Sequence, residues 1–248
     1  MLGSDPIAAL LGAGTDPRCA QTVWKSYLRK LVGAGAAVTM LGPDVVVPDD
    51  ADDAVLSALA ALVATYPPGV QMPLETSGVL EGFGHVDSDT ERVNRRVATY
   101  FRHIVHVLGK ELAPQLLTNG AVTASAGLHV GASGMVAVSV PDGDALNQWR
   151  SWAAQTSGDP RERHTAPTVL LPNAPGGGVY LFRLPDAAPV PADLTLPIKG
   201  FTITTGDLVV PIPPTRLGGE AVTRLGPARI LPAWLQRTLR DAAAPLAV

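Results

Sequence analysis

The hydrophobic pattern changes period near Gly120, and that change constrains the fold more than any other feature of the chain. Upstream, apolar residues recur at steps of three and four. Val23, Trp24, Tyr27, Leu28 and Leu31 form one stripe and Val93, Val97, Tyr100, Ile104 and Val107 another, which predicts amphipathic helices. Downstream, short β-rich runs separated by Gly, Pro and Asp take over, at 127–130, 135–140, 168–171, 178–184, 198–204 and 208–212. Two helices are expected among them, one from Asp142 or Asp144 to about Gln155 and one from Pro232 to Ala243. Strands mixed with helices, without regular alternation, predict an α+β fold: a mixed sheet flanked by helices, with a helical N-terminal part. The expected organisation is a mainly helical part over 1–118, packed on an α+β core over 119–243.

Within the helical part, Gly33-Ala34-Gly35 ends the first helix and 36–41 reads as a buried strand. A second helix is expected over 52–65, with Asp50 to Asp53 supplying carboxylates at its positive end. Residues 66–84, rich in Pro and Gly, predict a long loop or an ordered insertion, and Asp87-Ser88-Asp89 caps a third helix running to Leu108. The 248 residues suffice to bury a core, and a single cysteine, Cys19, excludes a disulfide framework or a cysteine-based zinc site. No apolar run reaches the ~18 residues of a membrane span. With an N-terminus that lacks the basic flank of a signal peptide, the expectation is a cytoplasmic protein with no membrane partner.

The balance of 19 basic against 22 acidic residues conceals a polarised distribution. The segment 44–91, the acidic insertion, holds ten carboxylates and no Lys or Arg. Arg92, Arg95, Arg96, Arg102 and Lys110 follow at once, and 183–241 carries seven bases against five acids. Such polarity predicts a surface that repels polyanions and another that attracts them, or simply solvated faces.

His103 and His106 share a helix face but lack a third ligand nearby on that helix, which favours packing over metal binding. Neither a Walker phosphate loop nor a Gly-x-Ser-x-Gly elbow occurs. Gly176-Gly177-Gly178 runs directly into Val179-Tyr180-Leu181-Phe182-Arg183, a turn and strand that permit close approach of backbone to a ligand, or form an ordinary hairpin. Tyr180 and Phe182 share one face of that strand, either as a platform for base stacking or turned into the core, and Arg183 points the other way.

It is at these residues that the chain comes to resemble the N-terminal domain of bifunctional DNA primase-polymerases, in the archaeo-eukaryotic primase superfamily. The resemblance spans roughly 120–239, with a weaker echo over 26–43. Its elements follow in order: a glycine-bounded strand ending in Met135–Val140, a helix with Trp149 and Trp152, and the pair Thr168-Val169. The glycine strand comes next, then Val209-Val210-Pro211-Ile212-Pro213-Pro214-Thr215, similar to the family's Val-x-Pro-Pro-Ser, and finally Leu231-Pro232-Ala233-Trp234-Leu235 before the last helix.

The resemblance implies metal-dependent nucleotidyl transfer, in which a hydroxyl attacks the α-phosphate of an incoming nucleotide while carboxylates hold divalent metals. It further implies an Asp-x-Asp pair ending the first strand, a His in the glycine strand and an Asp opening a later strand. In this chain those positions carry Ser139 and Pro141, Val179, and Pro197. Proline and valine offer no side-chain ligand atom, and one serine hydroxyl does not anchor a pair of dications. Asp142-Gly143-Asp144 keeps the carboxylate spacing just downstream, but the flanking Pro141 and Gly143 make it a turn, and capping of the next helix explains it better.

The expected function is therefore that of a primase-polymerase-fold protein of DNA replication, catalytically degenerate, acting as a nucleic-acid-binding or scaffolding component. The alternative is an active DNA primase/polymerase using the displaced carboxylates Asp142 and Asp144. An α+β domain with an unrelated function is the third reading. No metal or other cofactor is expected on the first reading, and Mg or Mn on the alternative. Expected nucleic-acid or nucleotide contacts are Gly176, Gly177, Gly178, Tyr180, Arg183, Lys199, Thr215 and Arg216. Expected partners are single-stranded DNA or a primer-template, together with a catalytic primase, helicase or other replication subunit.

Overall fold

The computed structural model describes residues 21–72, 90–163, 170–171, 177–185, 190–206, 208–213, 215–217, 220–221 and 229–244. They form an α+β fold of helices and mixed sheets, divided into two compact units. One unit takes the described residues up to Leu128 and those of Pro211–Val222. The other takes those of His129–Val210 and Thr223–Val248.

In the first unit the helical stripes become the core. Helix α1 (Gln21–Gly33) buries Trp24, Tyr27, Leu28 and Leu31. Helix α3 (Thr90–Leu108) buries Val93, Val97, Tyr100, Ile104 and Leu108 and packs on α1. Both stripes follow the 3.6-residue period that puts one side of a helix in the interior. Between them in sequence, strand β1 (Val38–Val45) pairs antiparallel with β2 (Val122–His129), and helix α2 (Asp53–Thr65) follows β1. Asp52 caps α2, its carboxylate accepting from the Val55 amide at 2.8 Å, one of the donors a helix start leaves without a partner. Part of the Pro- and Gly-rich stretch is ordered against β1, with Gly42 N–H donating to Val70 O at 2.7 Å and Met72 N–H to Met40 O at 3.0 Å. Residues 73–84 of that stretch, and the caps Asp87 and Asp89, lie outside the described residues.

Two features of this unit differ from the sequence expectation. A short helix, α4 (Leu112–Thr118), precedes β2, with Pro114 in its first turn, where the missing N–H has no intrahelical bond to lose. Strand β2 starts at Val122, ahead of the expected 127, because its small residues Ala124 and Ala126 are buried without giving an apolar alternation.

The second unit is built on a sheet in the order β11-β5-β3-β7-β6, with β4 also paired to β5. Its strands are β3 (Met135–Val140), β4 (Leu170–Leu171), β5 (Gly178–Arg183), β6 (Thr195–Ile198), β7 (Phe201–Thr204) and β11 (Arg229–Ile230). All pairings are antiparallel except β11 with β5, which makes the sheet mixed. The stretch 198–204, expected as one strand, is a hairpin: β6 and β7 joined at Lys199-Gly200. Gly200 sits at φ +91°, in the left-handed region that favours glycine, and a Cβ there would meet the Gln148 side chain at 2.4 Å.

Helices α5 (Gly143–Ser157) and α6 (Ala233–Ala243) cover one face of this sheet. Val136, Val138 and Val140 of β3, Tyr180 and Phe182 of β5, and Phe201 and Ile203 of β7 all point to that side, as the two-residue period of a strand requires. Trp149 of α5 is the hub. Its ring lies 5.4 Å from Phe201, 5.6 Å from Trp152, 6.2 Å from Trp234 and Phe182, and 6.5 Å from Tyr180. Among the described residues, no helix is long and apolar enough to cross a membrane.

The remaining short strands are β8 (Val209–Pro211) and the paired β9 (Arg216–Leu217) and β10 (Glu220–Ala221).

Candidate nucleic-acid interface

Because even-numbered residues of β3 face α5, the odd-numbered ones face away, and the register across the sheet fixes their neighbours. Ser139 lies opposite Val179 of β5 on one flank and opposite Thr202 of β7 on the other. Thr202 in turn lies opposite Pro197 of β6. Val179, Ser139, Thr202 and Pro197 therefore form one cross-strand row on one face, since directly paired residues share a side. Pro141 follows β3 immediately, and its carbonyl oxygen would stand 2.3 Å from a Cβ on Gly177. Gly177 is thus required by backbone packing at the same end of the sheet, and no residue with a side chain fits there.

All four positions at which the resemblance implies catalytic groups, Ser139, Pro141, Val179 and Pro197, gather at this row. Their side chains do not fit a pair of divalent metals: one hydroxyl is the whole inventory of ligand atoms among the four. Among the described residues, no group of three or more His, Cys, Asp or Glu side chains could hold a metal ion. The neighbouring Asp142 is engaged as the cap of α5, its Oδ1 accepting from the Ala145 amide at 2.8 Å, and Asp144 is exposed in the first turn.

What the row offers instead is hydroxyl groups. Ser139 and Thr202 are half-buried, as is Thr204 one step along β7, and Thr195 opposite Thr204 is exposed. Such a face donates and accepts hydrogen bonds without carrying charge. The alternation in Phe201-Thr202-Ile203-Thr204 was the sequence signal for it: a strand with apolar residues on one side and threonines on the other. Lys199, exposed on the β6–β7 turn, adds a cation at the same end of the sheet.

The other expected contacts disperse. Gly176 lies outside the described residues. Gly178 pairs with Val140 at the row's end of β5. Tyr180 is 1% exposed and sits with Phe182 in the core under Trp149, so these rings pack and offer no stacking platform on the sheet surface. Arg183 pairs with Met135 at the far end of β5, four residues from Val179 of the row and so roughly 13 Å away along the strand. Thr215 is fully buried in the first unit, its Oγ1 donating to Ala126 O at 3.0 Å and accepting from Ala126 N–H at 2.9 Å. It is a clamp on β2. Arg216 follows it on β9, half-buried, with its Nε buried and without a hydrogen-bond partner among the described residues.

Among the histidines and the acidic segment, His103 and Asp52 have structural roles. His103 Nδ1 hydrogen-bonds with the Tyr66 hydroxyl beyond the end of α2, while His106 is exposed. Of the acidic segment, Asp44 is buried on β1, Asp52 is a cap, and Asp49, Asp50 and Asp53 are exposed.

No family model, no curated protein and no solved structure matches this chain.

Proposed function

We propose that the protein is a primase-polymerase-fold component of DNA replication that has lost nucleotidyl transfer and binds single-stranded DNA at the hydroxyl face of its mixed sheet. One observation carries the proposal: Ser139, Val179 and Pro197, assigned from an ordered set of motifs spread over some sixty residues, fall into a single cross-strand row. Pro141 abuts the same end of the sheet through Gly177. A chance set of four positions has no reason to converge, whereas the remnant of a catalytic centre does. The residues now filling it keep the strand geometry and remove the ligands.

Binding at this face would draw on the Ser139, Thr202 and Thr204 hydroxyls and on the Lys199 ammonium, groups that contact phosphate and sugar and carry no base-edge readout. Affinity should accordingly be weak in sequence preference and steep in salt. Fluorescence anisotropy of a labelled single strand, titrated with protein across a salt series, tests this. The expected result is a linear fall of log affinity with log salt that is shallower by about one contact in Lys199→Gln. Absence of binding even at low salt would overturn the nucleic-acid role and leave the fold as a protein-interaction scaffold.

A further inference from the structure

We infer that the groove between α5 and the 3-10 turn Pro160–Arg163 is a second site, for the phosphate group of a ligand, on the opposite side of α5 from the core. Asn147, Arg150 and Ser151 stand at i, i+3 and i+4 on α5, which places them together on one face. Ala145, Trp149 and Ala153 are the residues this helix buries. With Arg163 of the turn, the three exposed side chains line a cavity of about 500 Å³.

The turn that carries Arg163 is held in place on several sides. Asp159 N–H donates to Ser157 Oγ at 3.1 Å just past the end of α5. The Asp159 carboxylate binds Arg161 in a two-pronged contact, with Nη2 at 2.8 Å and Nε at 3.0 Å. Glu162 binds Arg229 of β11 in the same fashion, at 2.8 and 2.9 Å, from 67 residues away in the chain.

These pairs use both carboxylates of the turn. Arg161 and Arg229 are neutralised, while Arg150 and Arg163 form no ion pair among the described residues. Two guanidiniums thus line one cavity that, among the described residues, no carboxylate lines, so the cavity wall carries positive charge suited to an anion. All four lining side chains can donate hydrogen bonds. Each guanidinium presents a planar fork suited to phosphate oxygens, and the Asn147 amide and Ser151 hydroxyl add neutral donors on the same wall. The volume falls within the range of small-ligand sites, with room for more than a single phosphate.

The site stands apart from the row containing Ser139, which lies on the face of the sheet turned away from α5, and it does not depend on the reading of that row. Two sources could bring a phosphate here: a free polyphosphate such as that of a nucleotide, or the backbone of a nucleic-acid strand. Calorimetric titration with inorganic tripolyphosphate, and anisotropy of a labelled single strand with and without it, separate them. Tripolyphosphate binding that is about tenfold weaker in each of Arg150→Gln and Arg163→Gln is the expected result, with Lys199→Gln unchanged. If the strand is the source, the same two variants weaken strand binding and tripolyphosphate displaces the strand. If the source is free polyphosphate, strand binding is indifferent to both variants and tripolyphosphate still binds. Arg163→Lys, which keeps the charge and loses the fork, should retain part of the affinity. Melting curves of the exposed-site variants should match the parent and serve as the folding control. Absence of binding to both probes, or binding that neither Arg150→Gln nor Arg163→Gln alters, would overturn the site. Loss of strand binding alone, with tripolyphosphate still bound through both arginines, would count against the sheet-face proposal and leave this one standing.

Discussion

Ser139 lies directly opposite Val179 in the antiparallel pairing of β3 with β5, so one hydroxyl and one isopropyl group occupy adjacent places that the family resemblance assigns to a carboxylate and an imidazole. Neither a metal pair nor a phosphate-contacting histidine can be rebuilt from these two side chains. Calorimetric titration with Mn²⁺ is therefore expected to reveal no stoichiometric site of micromolar affinity. A tight site abolished by Asp142→Ala would show that the downstream carboxylates have taken over.

Asp142 instead stabilises α5 through its bond to the Ala145 amide. Asp142→Ala should cost about 1 kcal/mol in chemical denaturation, in the range found for lost helix caps. Asp144→Ala, which removes only a favourable charge from the first turn, should cost about 0.3–1 kcal/mol. A cost for Asp142→Ala smaller than that for Asp144→Ala would argue against the cap.

Much of the fold was legible because local chemistry and tertiary burial agree. The 24/27/28/31 stripe of α1 and the strand Met135–Val140 appear where residue pattern puts them, and of the two expected cap candidates, Asp142 and Asp144, the structure uses Asp142. Helix α4 and the β6–β7 hairpin were not legible. Proline usually interrupts a helix or a strand, yet Pro114 sits in a helical first turn and Pro197 on the edge strand β6, both positions that tolerate a missing N–H. The row across the sheet needed the register of four strands. The α5 groove was further out of reach, since its arginines differ from their neighbours in forming no ion pair among the described residues, and the neighbouring pair that joins Glu162 to Arg229 spans 67 residues of sequence.

Two buried tyrosines should respond in opposite directions to loss of their hydroxyl. Tyr100 Oη accepts from the Ser125 amide at 3.0 Å, and Tyr100→Phe strands that buried N–H at a cost of about 1–3 kcal/mol. The Tyr27 hydroxyl is buried without a hydrogen-bond partner among the described residues, so Tyr27→Phe should be neutral or stabilising. Burial raises the pKa of both phenols, in Tyr100 despite the opposing hydrogen bond from Ser125. A raised folded-state pKa contributes stability that is present below the unfolded value of about 10 and is lost as pH rises above it. Denaturation midpoints should accordingly fall above about pH 10 in the parent and fall less in Tyr27→Phe.

Thr215→Val should destabilise the first unit by about 1–3 kcal/mol, because the isosteric methyl leaves both the amide and the carbonyl of Ala126 without this buried partner. Thr215→Ser should recover most of that loss. A change in single-strand affinity without a change in stability would instead give Thr215 a direct contact with the ligand.

Tyr180→Leu should lower stability, by loss of an aromatic contact beneath Trp149, and leave the salt dependence of single-strand binding unchanged. Lys199→Gln should do the reverse. Anisotropy titrations paired with melting curves on the two variants check this, and loss of affinity in Tyr180→Leu at full stability would mean that the ring reaches the bases.

The most direct test of the central claim, that the row through Ser139 has lost nucleotidyl transfer, is a primer-synthesis assay on a single-stranded template with all nucleotides and either Mg²⁺ or Mn²⁺. The account predicts no product above a no-protein control with either metal. Templated product that disappears in Asp142→Asn or Asp144→Asn would contradict it and make the protein a working primase-polymerase with displaced carboxylates.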